Sequence, residues 1–319
     1  MKKLFGAAVM LAGAWLLVSN PFSHQYITYL KSESVPVSMH KDSLYRELET
    51  KAPDYEIKPV DARIDSVWKA IPGYNGLKVN MGKSYDKMKR EGRFEEDLLV
   101  FEEIKPQVHL SDLPASPIYR GNPEKPMVSF IINVAWGNEY LSDMLATLKK
   151  HHVYATFFLE GRWAKNNPEL VKMIVDAGHE VGNHSFSHPD MRSLQAAAIH
   201  DEIKKTNDVI EATTGRKARW FGPPSGSFKE EVVKIAAVHQ LGTVLWSIDT
   251  IDWKKPTPDE LNQRVLGKLH NGAMILMHPT DSTEKALETM VLGIKEKHLE
   301  IGTVSEMLSE KRILHKKAK

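Results

Sequence analysis

The 319-residue chain contains no cysteine. Disulfides, thiolate-held zinc, iron–sulfur clusters and a cysteine nucleophile are therefore excluded. It also lacks an excess of either charge, with 43 Lys and Arg against 41 Asp and Glu and a net charge of +2. That balance offers no basic face to nucleic acid. Apolar residues make up 42% and charged residues 26%, which excludes disordered, collagenous and multi-pass membrane chains. The length suffices for one large domain and a smaller one, with a core that needs no staples.

Long apolar runs are lacking too, with one exception. After Met1-Lys2-Lys3 the chain reads LFGAAVMLAGAWLLV, and no Asp, Glu, Lys or Arg returns until Lys31. A basic start followed by an apolar run is an export signal. Counted through Phe22, it approaches the ~20 residues that cross a bilayer. Small-residue cleavage sites near its end are poor. Residues 1–30 are thus read as a signal anchor in preference to a cleaved signal peptide, with the bulk of the chain outside the cytoplasm, in the membrane or secreted to the cell envelope.

The remaining chain divides by texture. Residues 31–55 are polar and predict a stalk with one short helix over 43–51. Residues 56–113 carry turn signals at Pro72-Gly73 and Asn75-Gly76 and predict a small α+β domain with a helix over 84–90. Its Pro59-Val60-Asp61-Ala62, Gly76–Val79 and Pro106–Val108 stretches loosely resemble small peptidoglycan-associated domains of exported bacterial proteins. Pro114, Pro117, Pro123 and Pro126 mark a linker over 114–126. From 127 to 311, strand-like runs at 128–134, 155–159, 180–183, 220–222, 243–248, 273–277 and 300–303 alternate with helical stretches. Seven such units predict an α/β fold, a distorted parallel (β/α) barrel. Residues 312–319 form a basic tail.

In a parallel α/β fold the site forms where strands end. The polar residues there are Asn133 to Gly137, His184 to His188, Gly222 to Gly226, Asp249 with Asp252-Trp253, and His278 to Asp281. His184 and His188, four apart, suit a divalent metal held on one side of a helical turn. His278 follows an all-apolar strand, and Asp252 is the carboxylate that could orient its ring.

The order of these motifs resembles the polysaccharide deacetylases, the NodB-homology or carbohydrate esterase family 4 domain, in the subset found in endospore-forming bacteria. The matching stretches are Ala155-Thr156-Phe157-Phe158, then Gly178-His179-Glu180-Val181-Gly182-Asn183-His184-Ser185-Phe186-Ser187-His188, then Trp246 to Trp253, and Ile275-Leu276-Met277-His278. The resemblance implies a divalent metal, zinc foremost, on an Asp-His-His set that here would include His184 and His188. It also implies an Asp base, and His278 with Asp252 as the acid half. The implied reaction removes acetyl from N-acetylated amino sugars of peptidoglycan or chitin-like polymers. No nucleotide or haem is implied.

Two departures stand against activity. The family's T-F-D-D-G falls on Asn133-Val134-Ala135-Trp136-Gly137, so the base position is Ala135 and the metal Asp position is Trp136. R-P-P-Y-G falls on Gly222-Pro223-Pro224-Ser225-Gly226, so the Arg that partners the base is Gly222 and the substrate-side Tyr is Ser225. Base and partner are lost together, as expected of a settled state. Asp281 and Glu139, with Asn138 and Asp190, are candidate substitutes beside the motifs. Trp253, Ser225 and Pro224 are candidate groove residues, Trp253 by stacking on a sugar. Three readings follow. The first is a pseudoenzyme bound to cell-wall or spore-envelope glycan. The second is an active deacetylase with a rebuilt site. The third is a membrane-tethered scaffold for a protein partner in envelope or spore morphogenesis.

Overall fold

The computed structural model describes residues 43–314 and, before them, Gln25 alone. The expected export signal and the end of the basic tail lie outside the described residues. Among those described, no helix is long and apolar enough to cross a membrane. They form two compact units, 43–56 with 78–102, and 57–77 with 103–314.

In the first unit the expected helix over Ser43–Lys51 is present. The second helix runs over Met81–Met88 and starts ahead of the expected 84–90, because Asn80 caps it by accepting the Lys83 N–H at 3.0 Å. Leu44, Leu48, Val79, Met88 and Leu99 make the core of this unit.

The second unit carries the sheet. Its strands are β1 (Met127–Val134), β2 (Thr156–Leu159), β3 (Glu180–Asn183), β4 (Trp220–Phe221), β5 (Gly242–Thr243), β6 (Ile248–Asp249), β7 (Ala273–Met277) and β8 (Glu300–Gly302). All pairings are parallel, in the order β6-β7-β1-β2-β3-β4-β5, with β8 against the start of β1. Helices α1 (Asn138–Lys150), α2 (Gly161–Asn166), α3 (Pro168–Asp176), α4 (Ala196–Thr214), α5 (Glu230–Val238), α6 (Pro258–Leu266), α7 (Asp281–Glu296) and α8 (Val304–Leu308) fill the connections. Alternation along β1 separates its two faces. Val128, Phe130, Ile132 and Val134 belong to the large helix-packed core, whereas Met127 and Ile131 belong to a second cluster with Phe158, Met274 and Leu276 on the inner face.

Several expectations change here. The expected distorted barrel takes the form of a curled, unclosed half-barrel. The expected strand over 243–248 is split into β5 and β6, with no helix between them. In the gap, Leu245 N–H donates to Ile118 O at 2.8 Å and Ser247 N–H to Met274 O at 3.0 Å, so the backbone turns inward instead of continuing one ladder. The Pro-rich stretch 114–126 is not a free tether. Ile118 bridges both Lys69 and Val244, Asn122 Nδ2 donates to Pro72 O at 2.9 Å, and the buried Lys125 ammonium donates to Glu306 O and Ser309 O at 2.5 and 2.7 Å. The compact units accordingly do not follow the 56–113 boundary. Ala62 N–H donates to Val108 O at 2.9 Å, and the hairpin Arg63–Asp65 with Lys69–Ile71 stays in the sheet-bearing unit.

Candidate functional site

The strand ends converge as expected. Inner-face alternation brings Asn133 and Ala135 from the end of β1 and Leu276 and His278 from the end of β7 to one cavity of about 470 Å³. Trp136, His184, His188, Ser225, Trp246, Asp249 and Trp253 complete its lining. A larger cavity of about 1030 Å³ lies at the other ends of the strands, beside Gly178 to Val181, and holds none of the expected site residues.

His184 and His188 meet with ring centroids 5.1 Å apart, though not on a helical turn. The loop that joins them bends through two left-handed residues, Ser185 and His188, with φ of 62° and 55°. Glu202 on α4 holds it by accepting from Phe186 N–H and Ser187 N–H, each at 2.8 Å. His184 is buried and its Nδ1 lies 2.6 Å from Gly222 O. A carbonyl can only accept, so Nδ1 carries the proton and Nε2 keeps its lone pair. Burial, and then the neighbouring His188, push the His184 pKa down to about 3. Gly222 therefore serves through its carbonyl and does not line the cavity. Pro224 is buried and does not line the cavity, and Ser225, which does, has a φ of 54° in the left-handed region.

His278 stands on Asp252. The Asp252 side chain has 0% exposure, while that of His278 keeps 20%. One carboxylate oxygen accepts from His278 Nδ1 at 2.8 Å; the other accepts from His278 N–H at 2.6 Å and from Thr283 Oγ1 at 2.7 Å. This fixes the ring and leaves Nε2 free to accept or, once protonated, to donate. The turn before Asp252 is strained: Ile251 has φ 56°, and Asp249 Oδ1 steadies it by accepting the Ile251 N–H at 2.8 Å. Gly137, with φ 82°, allows the other loop to close, since a Cβ there would lie 2.1 Å from Pro279 O.

The candidate substitutes fall elsewhere. Glu139 and Asp281 line a neighbouring cavity of about 510 Å³, beyond Trp136 and Trp253. Asp281 also pairs with Lys285 at 2.5 Å. Asn138 accepts from Trp163 Nε1 at 2.6 Å and bonds Asn167, and Asp190 takes the Ser227 hydroxyl. None of them stands beside Ala135 as a new base. Three cavity residues were given no role from sequence: Asn133 and Asp249, named only among the polar strand-end residues, and Trp246. Strand alternation at β1 marks Asn133, and the Trp246 to Trp253 motif contains the other two.

A divalent metal does not fit this lining. Among the described residues no group of three or more His, Asp or Glu side chains is placed to hold one, whereas a firm catalytic site takes three protein ligands. The two imidazoles are present, and the third position is an indole. The arrangement that remains is an oriented imidazole and a set of aromatic faces. Trp136 and Trp253 are 48% and 56% exposed, and such faces stack on sugars.

Comparison with known proteins agrees with this geometry. A family model described as polysaccharide deacetylase matches residues 120–244. The Bacillus subtilis protein YlxY is 57% identical over 298 residues, 93% of each chain. The peptidoglycan-N-acetylmuramic acid deacetylase PdaA of the same organism is 30% identical over 200 residues, covering 61% of this chain and 76% of that one. The crystal structure of a CE4 family pseudoenzyme from Bacillus anthracis superposes with a TM-score of 0.82 at 56% identity, covering 85% of this chain and 97% of that one. A mutant of that pseudoenzyme, solved separately, has restored enzymatic activity.

Proposed function

The chain belongs to the polysaccharide deacetylase family, carbohydrate esterase family 4, and from that premise we propose that it is a cell-envelope glycan-binding protein with little or no deacetylation. The observation that carries the reading is the pair Ala135 and Trp136 in the cavity that also holds His184, His188 and His278. A methyl group abstracts no proton from water, and an indole carbon face holds no metal. General-base help is worth ~10²–10⁴ in rate, and Ala135 supplies none at the position where the family resemblance implies the base. The likeness to a CE4 pseudoenzyme supports the loss, and the names of peptidoglycan-directed relatives support a cell-wall glycan as the partner.

The chain's own residues do the binding. Trp136 and Trp253 offer stacking faces, and Asp252 holds His278 with Nε2 toward the cavity. Lys2, Lys3 and the apolar residues 4–18 support an extracytoplasmic location. Protease treatment of intact protoplasts tests it: digestion of the sheet-bearing unit is expected, and full protection would refute it.

The activity test measures acetate released from N-acetylglucosamine oligomers with added zinc, cobalt or nickel, alongside retention on insoluble peptidoglycan. Retention without acetate is expected. The intact His278–Asp252 pair favours one rival, an active deacetylase with a rebuilt site. Robust, chelator-sensitive acetate release, lost on His184→Ala, would install that rival instead.

A further inference from the structure

We propose that the cavity beside Trp136 receives the free ammonium group of a 2-amino sugar, so that the glycan this chain prefers is the de-N-acetylated one. The inference deepens the glycan-binding reading and rests on it.

Asn133 provides the first observation. It is 6% exposed, lines the cavity, and its Oδ1 is buried without a hydrogen-bond partner among the described residues. A buried acceptor left unpaired costs ~1–3 kcal/mol, and such an orphan in a cavity wall marks the place of a donor from outside. Three further acceptors share the lining. His184 commits Nδ1–H to Gly222 and His278 commits Nδ1–H to Asp252, which leaves each Nε2 lone pair unused. Asp249 gives Oδ1 to Ile251 N–H and keeps its second oxygen; it is the one carboxylate in the lining.

Four acceptors around one space call for a cation rich in donors. A metal ion would take the imidazoles, but Trp136 closes the third ligand position. An ammonium group carries three N–H donors, needs no fixed coordination number, and is drawn by a carboxylate and by indole faces. The Trp253 ring already attracts a cation, for Lys254 Nζ lies 5.0 Å from its centroid. An acetamido group fits this set poorly. It has a single N–H and no charge, and its carbonyl oxygen would face lone pairs.

Titration calorimetry on the full-length chain, with chelator present, tests the inference. The probes are the β-1,4-linked tetramers of glucosamine and of N-acetylglucosamine, at about pH 6, where a sugar amine, less basic than an α-amino group, is mostly charged. The glucosamine tetramer is expected to bind at least about tenfold more tightly, with affinity falling as salt rises. Asp249→Asn keeps the oxygen that accepts from Ile251. It is expected to weaken the glucosamine tetramer about tenfold and so to abolish its preference over the acetylated tetramer. Equal binding of the two tetramers, preference for the acetylated one, or no effect of Asp249→Asn would overturn the inference and leave the glycan-binding reading standing. If neither tetramer binds, both fall.

Discussion

The indole of Trp136 lies parallel to the imidazole of His278, with 6.0 Å between ring centroids and 8° between planes. The side chain at the position where the family resemblance implies a metal-binding Asp therefore packs on the histidine for which it implies the acid role. Loss of the metal ligand and retention of the histidine are parts of one packed arrangement.

Restoring the ligand should restore metal before it restores turnover. Trp136→Asp adds a third ligand to His184 and His188, and zinc retained after gel filtration should rise at least about tenfold. Acetate release should appear only when Ala135→Asp is added, by the ~10²–10⁴ of a general base. Gly222→Arg and Ser225→Tyr complete the family pattern, but a Cβ at Gly222 would meet Phe158 Cδ1 at 3.0 Å. The full quadruple variant should therefore melt lower than the double. Zinc content unchanged in Trp136→Asp would show that His184 and His188 are not disposed as ligands.

Thr283→Val removes one of three hydrogen bonds to a fully buried carboxylate. Hydrogen bonds to charged groups contribute ~1.5–3 kcal/mol, and urea denaturation should show a loss of that order. A loss under about 0.5 kcal/mol would mean that Asp252 is satisfied without it.

Acid should destabilise the fold through two buried histidines. Burial lowers the His179 pKa to about 4 and the His184 pKa to about 3. The folded state refuses protons that the unfolded chain takes up below about 6.5, so this stability is complete above that pH and declines as pH falls. Each histidine loses ~1.4 kcal/mol per pH unit across that window. His179→Asn, whose Oδ1 can replace Nδ1 as acceptor for Ala155 N–H, should reduce the slope of stability between pH 6.5 and 4.5 by about one proton. An unchanged slope would assign the acid sensitivity to other groups.

Gly137→Ala should be severe for a single methyl group. The residue is left-handed and the new Cβ overlaps Pro279 O, so a cost above ~1 kcal/mol is expected. The loop that carries Trp136 must shift as well, and a change in tryptophan emission on top of the melting shift would report it. Emission identical to the parent would separate the Trp136 position from this turn.

Local pattern carried much of this structure. The apolar runs that became β1, β2 and β7 stood out because each is bounded by turn or capping residues and buried on both faces. The split of 243–248 was not legible, because its cause is pairing with Ile118 and Met274, residues remote in sequence. The same holds for the packed 114–126 stretch, where four prolines suggested a tether and Lys125 finds its acceptors only in α8 and just beyond it. In the site, His184, His188, Asp252 and His278 were marked by their strand-end positions and motif order. Asn133 was not singled out, since an Asn at a strand end is ordinary until its oxygen is seen to lack a donor. Asp281 and Glu139 looked close in sequence but fall beyond the two indoles.

β1 imposes an order on folding. Val128 pairs with Ala273 on one side and Ile301 on the other, while Ile131 to Val134 pair with β2. The central strand therefore waits for partners near the far end of the chain. Contacts of such long range make closure slow, and until β7 and β8 have been made β1 keeps one edge and the start of the other unpaired. A nascent chain stalled before β8 would be an aggregation hazard. Two strands made long after β1 thus complete its assembly.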